Sequence, residues 1–401
     1  MTSNTDRPVR RRPRDRKSQI LAAATDCFHR SGYHATGMND IAAAVGITAG
    51  SLYWHYRNKQ ELLDQVVLTS LDLGLTALRE VGDLDSALRA LCAFTLDNRV
   101  ISALWDKEAH NLSPEARDMA RERQRAARDI VAAAVLDARP GLDRDTTALI
   151  AWAVLGLSAS PSYHSVDVPR PTFETLLCDM AARVCLDARI PPVGPADDTR
   201  PPTGLPHTSR REAILSHAMR LFAERGYQVV GMEDIGAAAG ISGPAVYNHF
   251  ASKAELLATA VRRGAMALQF DLDQALLRSD TAEQALLRST RVFCSASFAL
   301  SGSAGLLLYA VPHLTPADQE AINRALADYT ADWAGLLRDC RPDLGENEAH
   351  ITVQAVFVMV GMLSRIPLLL KRPDSLETLV VLCLHALGLP SAADERDGRD
   401  G

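Results

Sequence analysis

The sequence predicts an all-α protein built as two tandem halves, and three observations carry that reading. Residues 16–63 and 210–257 agree at 21 of 48 positions at one fixed offset of 194 and without a gap, agreement that unrelated segments do not reach. The composition is rich in Ala, Leu, Arg and Glu with only 5% aromatic residues, which suits helices, because these side chains lose little freedom in a helix and few rings are needed for helix–helix packing. Within each copy, apolar residues recur at helical spacing between glycine stops. At 401 residues the chain can hold two or more domains, each with its own core.

The elements follow in order. Arg7 to Lys17 holds seven basic residues and two prolines, so residues 1–13 are expected to be a basic, disordered arm. Ile20, Leu21, Ala24 and Phe28 then line one face of a helix that stops at Ser31-Gly32, and Ile214, Leu215, Ala218, Phe222 and Gly226 repeat it. A short helix from Met38 to Val45, with Ile41 inward, ends at Gly46; its partner runs from Met232 to Ala239 and ends at Gly240. A third helix starts at Thr48 or Ser242, whose hydroxyls suit an N-cap, with Pro244 where a missing N–H costs nothing. Asn58-Lys-Gln-Glu61 and Ser252-Lys-Ala-Glu255 have the form of capping boxes. They open a longer fourth helix through Leu62, Leu63, Val66 and Val67, or Leu256, Leu257 and Val261.

The remaining parts are fainter. Thr147 to Leu157 and Ile351 to Leu363, each followed by a later partner at Thr172 to Leu186 and Ser375 to Leu387, are expected as bundle helices, for which a plain buried core is the alternative. Phe173-Glu-Thr-Leu-Leu177 resembles Leu376-Glu-Thr-Leu-Val380 at an offset grown to 203, which predicts about nine extra residues in the middle of the second half. Six prolines between Ile190 and Pro206 forbid regular structure and mark 190–207 as a linker. The domains are therefore expected at 14–74 and 75–189, then 208–268 and 269–390, with a disordered tail over 391–401.

The overall charge of −6 hides an asymmetry, since residues 7–60 carry ten Lys/Arg against three Asp/Glu, a local balance suited to a polyanion. Residues 208–254 carry five against four and lack a basic arm. Seven scattered cysteines without a C-x-x-C pair read as reduced cytoplasmic thiols rather than a disulfide framework or metal site. No signal peptide is visible. The apolar Ile351 to Leu370 is broken by Gln354 and Arg365 and reads as a buried or subunit-facing helix rather than a membrane span.

Two short helices joined by a tight turn let the second lie in a major groove. The repeated Phe-x-x-x-Gly-Tyr, Gly-Ile-Thr/Ser, Tyr-x-His-Tyr/Phe and Lys-x-x-Leu patterns resemble the N-terminal DNA-binding domain of the tetracycline-repressor (TetR) family over residues 14–74 and 208–268. The resemblance implies two tandem TetR-like halves, each an N-terminal three-helix DNA-binding unit followed by a helical ligand and dimerisation bundle. It implies that Thr48, Ala49, Gly50, Ser51, Tyr53, Trp54 and His55 face DNA in the first head, and Ser242, Gly243, Pro244, Ala245, Tyr247, Asn248 and His249 in the second. Tyr53 and Tyr247 would touch phosphate or a thymine methyl, and Lys59 and Lys253 would clamp a phosphate. Asn39 and Glu233 occupy a position the family often uses for DNA contact. Leu52, Tyr56, Val246 and Phe250 read as core. His55 and His249 equally suit closing the helix against its neighbour, and the arm suits either DNA contact or a solvated tail.

The expected partners are a double-stranded DNA operator and an unidentified small-molecule effector, with no cofactor, metal or membrane. Trp105, His110 and Trp152, and in the second half Phe298, Tyr309, His313 and Trp333, are pocket candidates, with plain core packing as the alternative. Two heads on one chain allow either an intrachain pseudo-dimer or a homodimer. The function expected is a ligand-responsive regulator, a repressor by preference, with the first head dominant. The alternative is a helical scaffold or co-regulator in which one head binds DNA. No nucleophile elbow, phosphate loop or dinucleotide fingerprint points to an enzyme.

Overall fold

A computed structural model describes residues 13–190, 207–299 and 311–390. Most of the basic arm and the linker, the whole tail and Tyr309 lie outside the described residues. Those described contain helices, turns and no strand, and among them no helix is long and apolar enough to cross a membrane.

The chain separates into two compact units, residues through 76 with 98–127, and 77–97 with the residues from 128 on. The division does not follow the proline-rich linker. Its physical reason is that the last helices of both halves bury against one another within the second unit.

The first unit holds α1 (Pro13–Ala35), α2 (Met38–Val45), α3 (Ala49–Tyr53), most of α4 (Lys59–Arg79), α6 (Ile101–Glu108) and the start of α7 (Pro114–Ala138). Ile20, Ala24 and Phe28 of α1, Ile41 of α2, Leu52 of α3 and Leu62, Leu63 and Val66 of α4 close on one core with Leu104. The stop expected at Ser31-Gly32 is a kink rather than an end. Gly32 has φ 75° and ψ 163°, and the chain turns helical again through Ala35. Gly46 closes α2 in the left-handed region at φ 70° and Gly240 does the same at φ 68°, a conformation in which any Cβ is strained.

In the second unit α10 (Arg210–Arg225), α11 (Met232–Ala238), α12 (Gly243–Val246) and α13 (Lys253–Leu277) rebuild the same head. Both predicted capping boxes form, with a one-residue variation. The Asn58 and Ser252 side chains accept from the Glu61 and Glu255 amides at 2.8 and 3.1 Å, while Glu61 and Glu255 reach back to the Arg57 and Ala251 amides rather than to the cap residue's own. Thr48 caps α3 through the Ser51 amide at 3.2 Å. Ser242 makes no such bond. The matching amide, Ala245 N–H, is taken by the Ser242 carbonyl at 3.0 Å, a tighter turn that leaves the hydroxyl nothing to cap.

The extra residues of the second half enter largely as whole turns. The helix α13 has 25 residues where α4 has 21, and α14 (Ala282–Ala299) has 18 where α5 (Leu84–Asp97) has 14. Four residues are close to one turn, so each insertion keeps the buried face in register.

The centre of the second unit is a four-helix bundle drawn from both halves: α8 (Arg144–Ala159) and α9 (Arg170–Leu186) against α16 (Glu346–Leu363) and α18 (Ser375–Leu387). Around it lie α5, α14 and α15 (Pro316–Cys340), and the short α17 (Pro367–Leu370) precedes α18. Asp143 and Gly345 cap α8 and α16, and from these caps the two helices bury the same positions in step. They cross closely at Gly156, where an added Cβ would stand 2.9 Å from the Met359 Cα. Arg183 of α9 donates to the His385 and Ala386 carbonyls at the end of α18, both at 3.2 Å, where a cation meets the negative pole of a helix. The Asn347 amide reaches the Asp167 carbonyl at 3.1 Å. These bonds join first-half to second-half residues.

Candidate nucleic-acid interface

Each head turns one face of its third helix inward and the other to solvent. Leu52 and Val246 are fully buried, and Tyr56 and Phe250 close the core just beyond them. On the opposite face Tyr53 and Tyr247 are 52% and 54% exposed and Trp54 is 91% exposed. These three rings stand outside the buried core. Thr48, Gly50 and Ser51 are exposed and Ala49 half-buried; Ser242, Pro244 and Asn248 are exposed, Ala245 half-buried and Gly243 buried. His55 and His249 are half-buried, and the His249 carbonyl accepts from Arg211, whose guanidinium lies 3.9 Å from the Phe250 ring centre.

The two heads differ at the start of their third helices. Asn39 is exposed at the start of α2. Its counterpart Glu233 is also exposed, and its Cδ lies 3.2 Å from where a Gly243 Cβ would stand. An added Cβ on Gly236 would meet the backbone of Ile241, Ser242 and Gly243 at 2.9 Å. The first head has Ala42 and Ala49 at these two positions, so glycine lets the second head bring α11 and α12 closer and lays a carboxylate across the start of α12.

A family model of bacterial regulatory proteins, the tetR family, matches residues 20–66 and again 214–260. Both heads are TetR-type helix-turn-helix domains. Among curated relatives, the transcriptional activator FasR of Mycolicibacterium smegmatis is 35% identical over 99 residues, covering 25% of this chain and 45% of that protein. The transcriptional repressor KstR2 of Rhodococcus jostii is 34% identical over 84 residues, 21% of this chain and 36% of that one. The chain spans less than half the length of these relatives. A solved TetR-family regulator from Bordetella parapertussis aligns with 46% of this chain and all of its own at 21% identity and a TM-score of 0.42.

Within the two heads, Lys59 and Lys253 are each tied to backbone carbonyls. Lys59 Nζ donates to the Tyr33 and Thr36 carbonyls at 2.7 and 2.9 Å and sits 4.3 Å from the Tyr33 ring centre. Lys253 repeats this with the Tyr227 and Val230 carbonyls at 2.8 and 2.9 Å and the Tyr227 ring at 4.4 Å. Each ammonium ties the start of the fourth helix to the loop before the second and so fixes the helix-turn-helix from behind. Burial pulls the Lys253 ammonium below its ordinary pKa and pushes the Tyr33 and Tyr227 phenols up.

The tyrosines of these ties are held in turn by the following helical region. Buried Glu108 of α6 accepts from the Tyr33 amide at 2.9 Å and from Asn111 at 2.7 Å, and Gln60 donates to the Asn111 carbonyl at 2.6 Å. In the second head His313 stacks on Tyr227 with ring centres 5.0 Å apart, and its ring meets Gln228 at 3.2 Å. Sequence reading missed Tyr33, Glu108 and Asn111 as positioning residues. Gly-Tyr in the motif was a signal for the first, whereas nothing local marks the other two.

The described pocket candidates of each half sit in different surroundings. Trp105 packs on the first head's core and His110 is exposed on the turn after α6. Trp152 is half-buried with Arg128 5.9 Å from its ring, and Phe298 is half-buried. Trp333 is fully buried among Phe293, Tyr329 and Phe357, and burial there pushes the Tyr329 phenol up. Among the described residues no cluster of His, Cys, Asp or Glu could hold a metal ion.

Proposed function

We propose that the chain is a DNA-binding transcriptional regulator, a ligand-responsive repressor, acting as an intrachain pseudo-dimer. The observation that carries it is the four-helix bundle made by one chain. Family proteins of ordinary length would need two chains for such a bundle, whereas here α8 and α9 find α16 and α18 of the same polypeptide. From the N-caps, Gly156 matches Val358. Pairing two second halves at the same crossing distance would put the Val358 Cβ where an added Cβ already meets backbone at 2.9 Å. The close approach therefore suits unlike halves. Exposed Tyr53 and Tyr247 support insertion of residues 48–55 and 242–249 into the major groove.

The first head is the stronger binder. Phosphate neutralisation supplies most non-specific affinity, and the second head combines a near-neutral local charge with Glu233 beside its recognition helix. Ligand response rests on the resemblance and on the contacts of Glu108, Asn111 and His313 behind the two Lys–Tyr ties. An effector that moved those turns would shift the recognition helices and change DNA affinity, a coupling between two sites.

Selection of bound duplexes from a random pool, with the whole chain and with Tyr53→Ala and Tyr247→Ala variants, tests this. A recovered motif that weakens strongly with the first substitution and less with the second supports the reading. Recovery of no motif refutes DNA reading, and a stronger effect of Tyr247→Ala refutes the dominance of the first head.

A further inference from the structure

The long helix of the second head carries an apolar row that the packing of its own unit does not use. The buried face of α13, which includes Leu268 and Leu272, packs against α10, α14 and α15. On the opposite face Met266, Phe270 and Leu277 are 72%, 62% and 80% exposed, and Arg263 and Asp273 are exposed in the same row. These five residues follow one another at spacings of three, four, three and four, the spacing of a coiled-coil seam. A contiguous row of large apolar side chains in water marks an interaction face.

The fold does not demand this row. Carried along the helix at the offset of 194, the matching positions of α4 are Thr69, Asp72, Thr76 and Arg79, and none is apolar. The row also complements itself. In an antiparallel pair of α13 helices with a two-fold axis at residue 268, Met266 of each copy lies opposite Phe270 of the other and Arg263 opposite Asp273, because in such an interface residue i meets j and j meets i. That arrangement seats four large apolar side chains at the centre and an ion pair at each end. A parallel pair would set Arg263 on Arg263 and Asp273 on Asp273. Arg263 already pairs with Glu212 of α10, which holds its guanidinium at one end of the row. Asp273 accepts from Gln269 at 3.3 Å and has no cationic partner among the described residues.

We propose that two copies of the chain pair antiparallel through the outer faces of α13, each keeping its own four-helix bundle. Burial of Met266 and Phe270 supplies the attraction. The two Arg263–Asp273 pairs fix direction and register, since exposed ion pairs add little affinity but exclude like-charge alignments. A single helix face is smaller than the roughly 1,200–2,000 Å² that stable interfaces bury, so the copies associate as concentration rises and separate on dilution. The pairing does not depend on DNA; where DNA is bound, a paired particle holds two duplexes, one to each polypeptide.

Sedimentation equilibrium of the full chain without DNA, from low to hundreds of micromolar, tests this. The mass should rise from 43.4 kDa toward twice that value. Phe270→Glu, at a side chain already in solvent, should melt as the parent does and stay at 43.4 kDa throughout. Thr76→Glu, at the matching first-half position, should associate as the parent does. Asp273→Lys sets like charges together at both ends and should weaken association roughly tenfold or more, and adding Arg263→Asp to it should restore the parent's behaviour. A parent mass of 43.4 kDa at every concentration, a dimer that Phe270→Glu leaves intact, or a folded double variant that fails to regain association would each overturn the proposal.

Discussion

Gly156→Ala sets two effects of opposite sign against each other. In an exposed helix interior, alanine stabilises over glycine by about 1 kcal/mol. At Gly156 the new Cβ would meet the Met359 Cα at 2.9 Å and its Cβ at 3.4 Å. The first is backbone of the crossing helix, so no rotamer change relieves it and α8 must move away from α16. Overpacking of this kind costs typically 1–3 kcal/mol, and the absence of a flexible neighbour puts it at the upper end. The balance is a net loss of about 2 kcal/mol, which for a large domain lowers Tm by roughly 4–8 °C. Gly156→Val, which copies the matching second-half residue, should lose more, because valine lacks alanine's helix preference. Gly141→Ala, where a Cβ meets nothing within 4 Å, is the control and should melt as the parent does. Thermal unfolding followed by circular dichroism measures all three. If Gly156→Ala melts at or above the parent temperature, the helices do not cross as described and the case for unlike pairing fails.

Three further outcomes follow from the heads and the bundle. Lys59→Met should lower Tm and weaken DNA binding without changing the slope of log affinity against log salt, measured by anisotropy; a slope smaller by about 1 would mark Lys59 as a phosphate contact after all. Deleting residues 2–12 removes Arg7, Arg10, Arg11 and Arg12 and should reduce that slope by up to about 3.6 if the arm lies on DNA; an unchanged slope would make it a solvated tail. The Arg291 hydrogen bond holds Glu377 below the ordinary glutamate value of 4.5, so its stabilisation is present above that value and is lost as pH falls through the lower folded value. Both side chains are about half exposed, so Arg291→Met should cost under about 1 kcal/mol at pH 7, a gap in Tm that closes toward pH 3; a gap that widens there contradicts the assignment.

How much was legible depended on how local the cause was. Glycine turns, capping boxes and the inward Leu52, Tyr56, Val246 and Phe250 are written in neighbouring residues, and the structure follows them. The partners of Lys59 are carbonyls 23 and 26 residues away, exposed by the Gly32 kink, and no pattern in the chain announces a carbonyl. Glu108 reaches Tyr33 across 75 residues, so it reads as an ordinary charged residue of a helix. Apolar runs at α8 and α16 were visible as bundle helices, yet periodicity does not say which helix covers which. Gly156 gains meaning only beside Met359. Ser242 carried the right side chain for a cap, and the tighter turn left it none to make.

The mass of the protein–DNA complex in solution tests the pseudo-dimer most directly. Light scattering on the full chain with its selected duplex should return one 43.4 kDa polypeptide per duplex over a range of protein concentrations. Two chains on every bound duplex, with none bound singly, would contradict it.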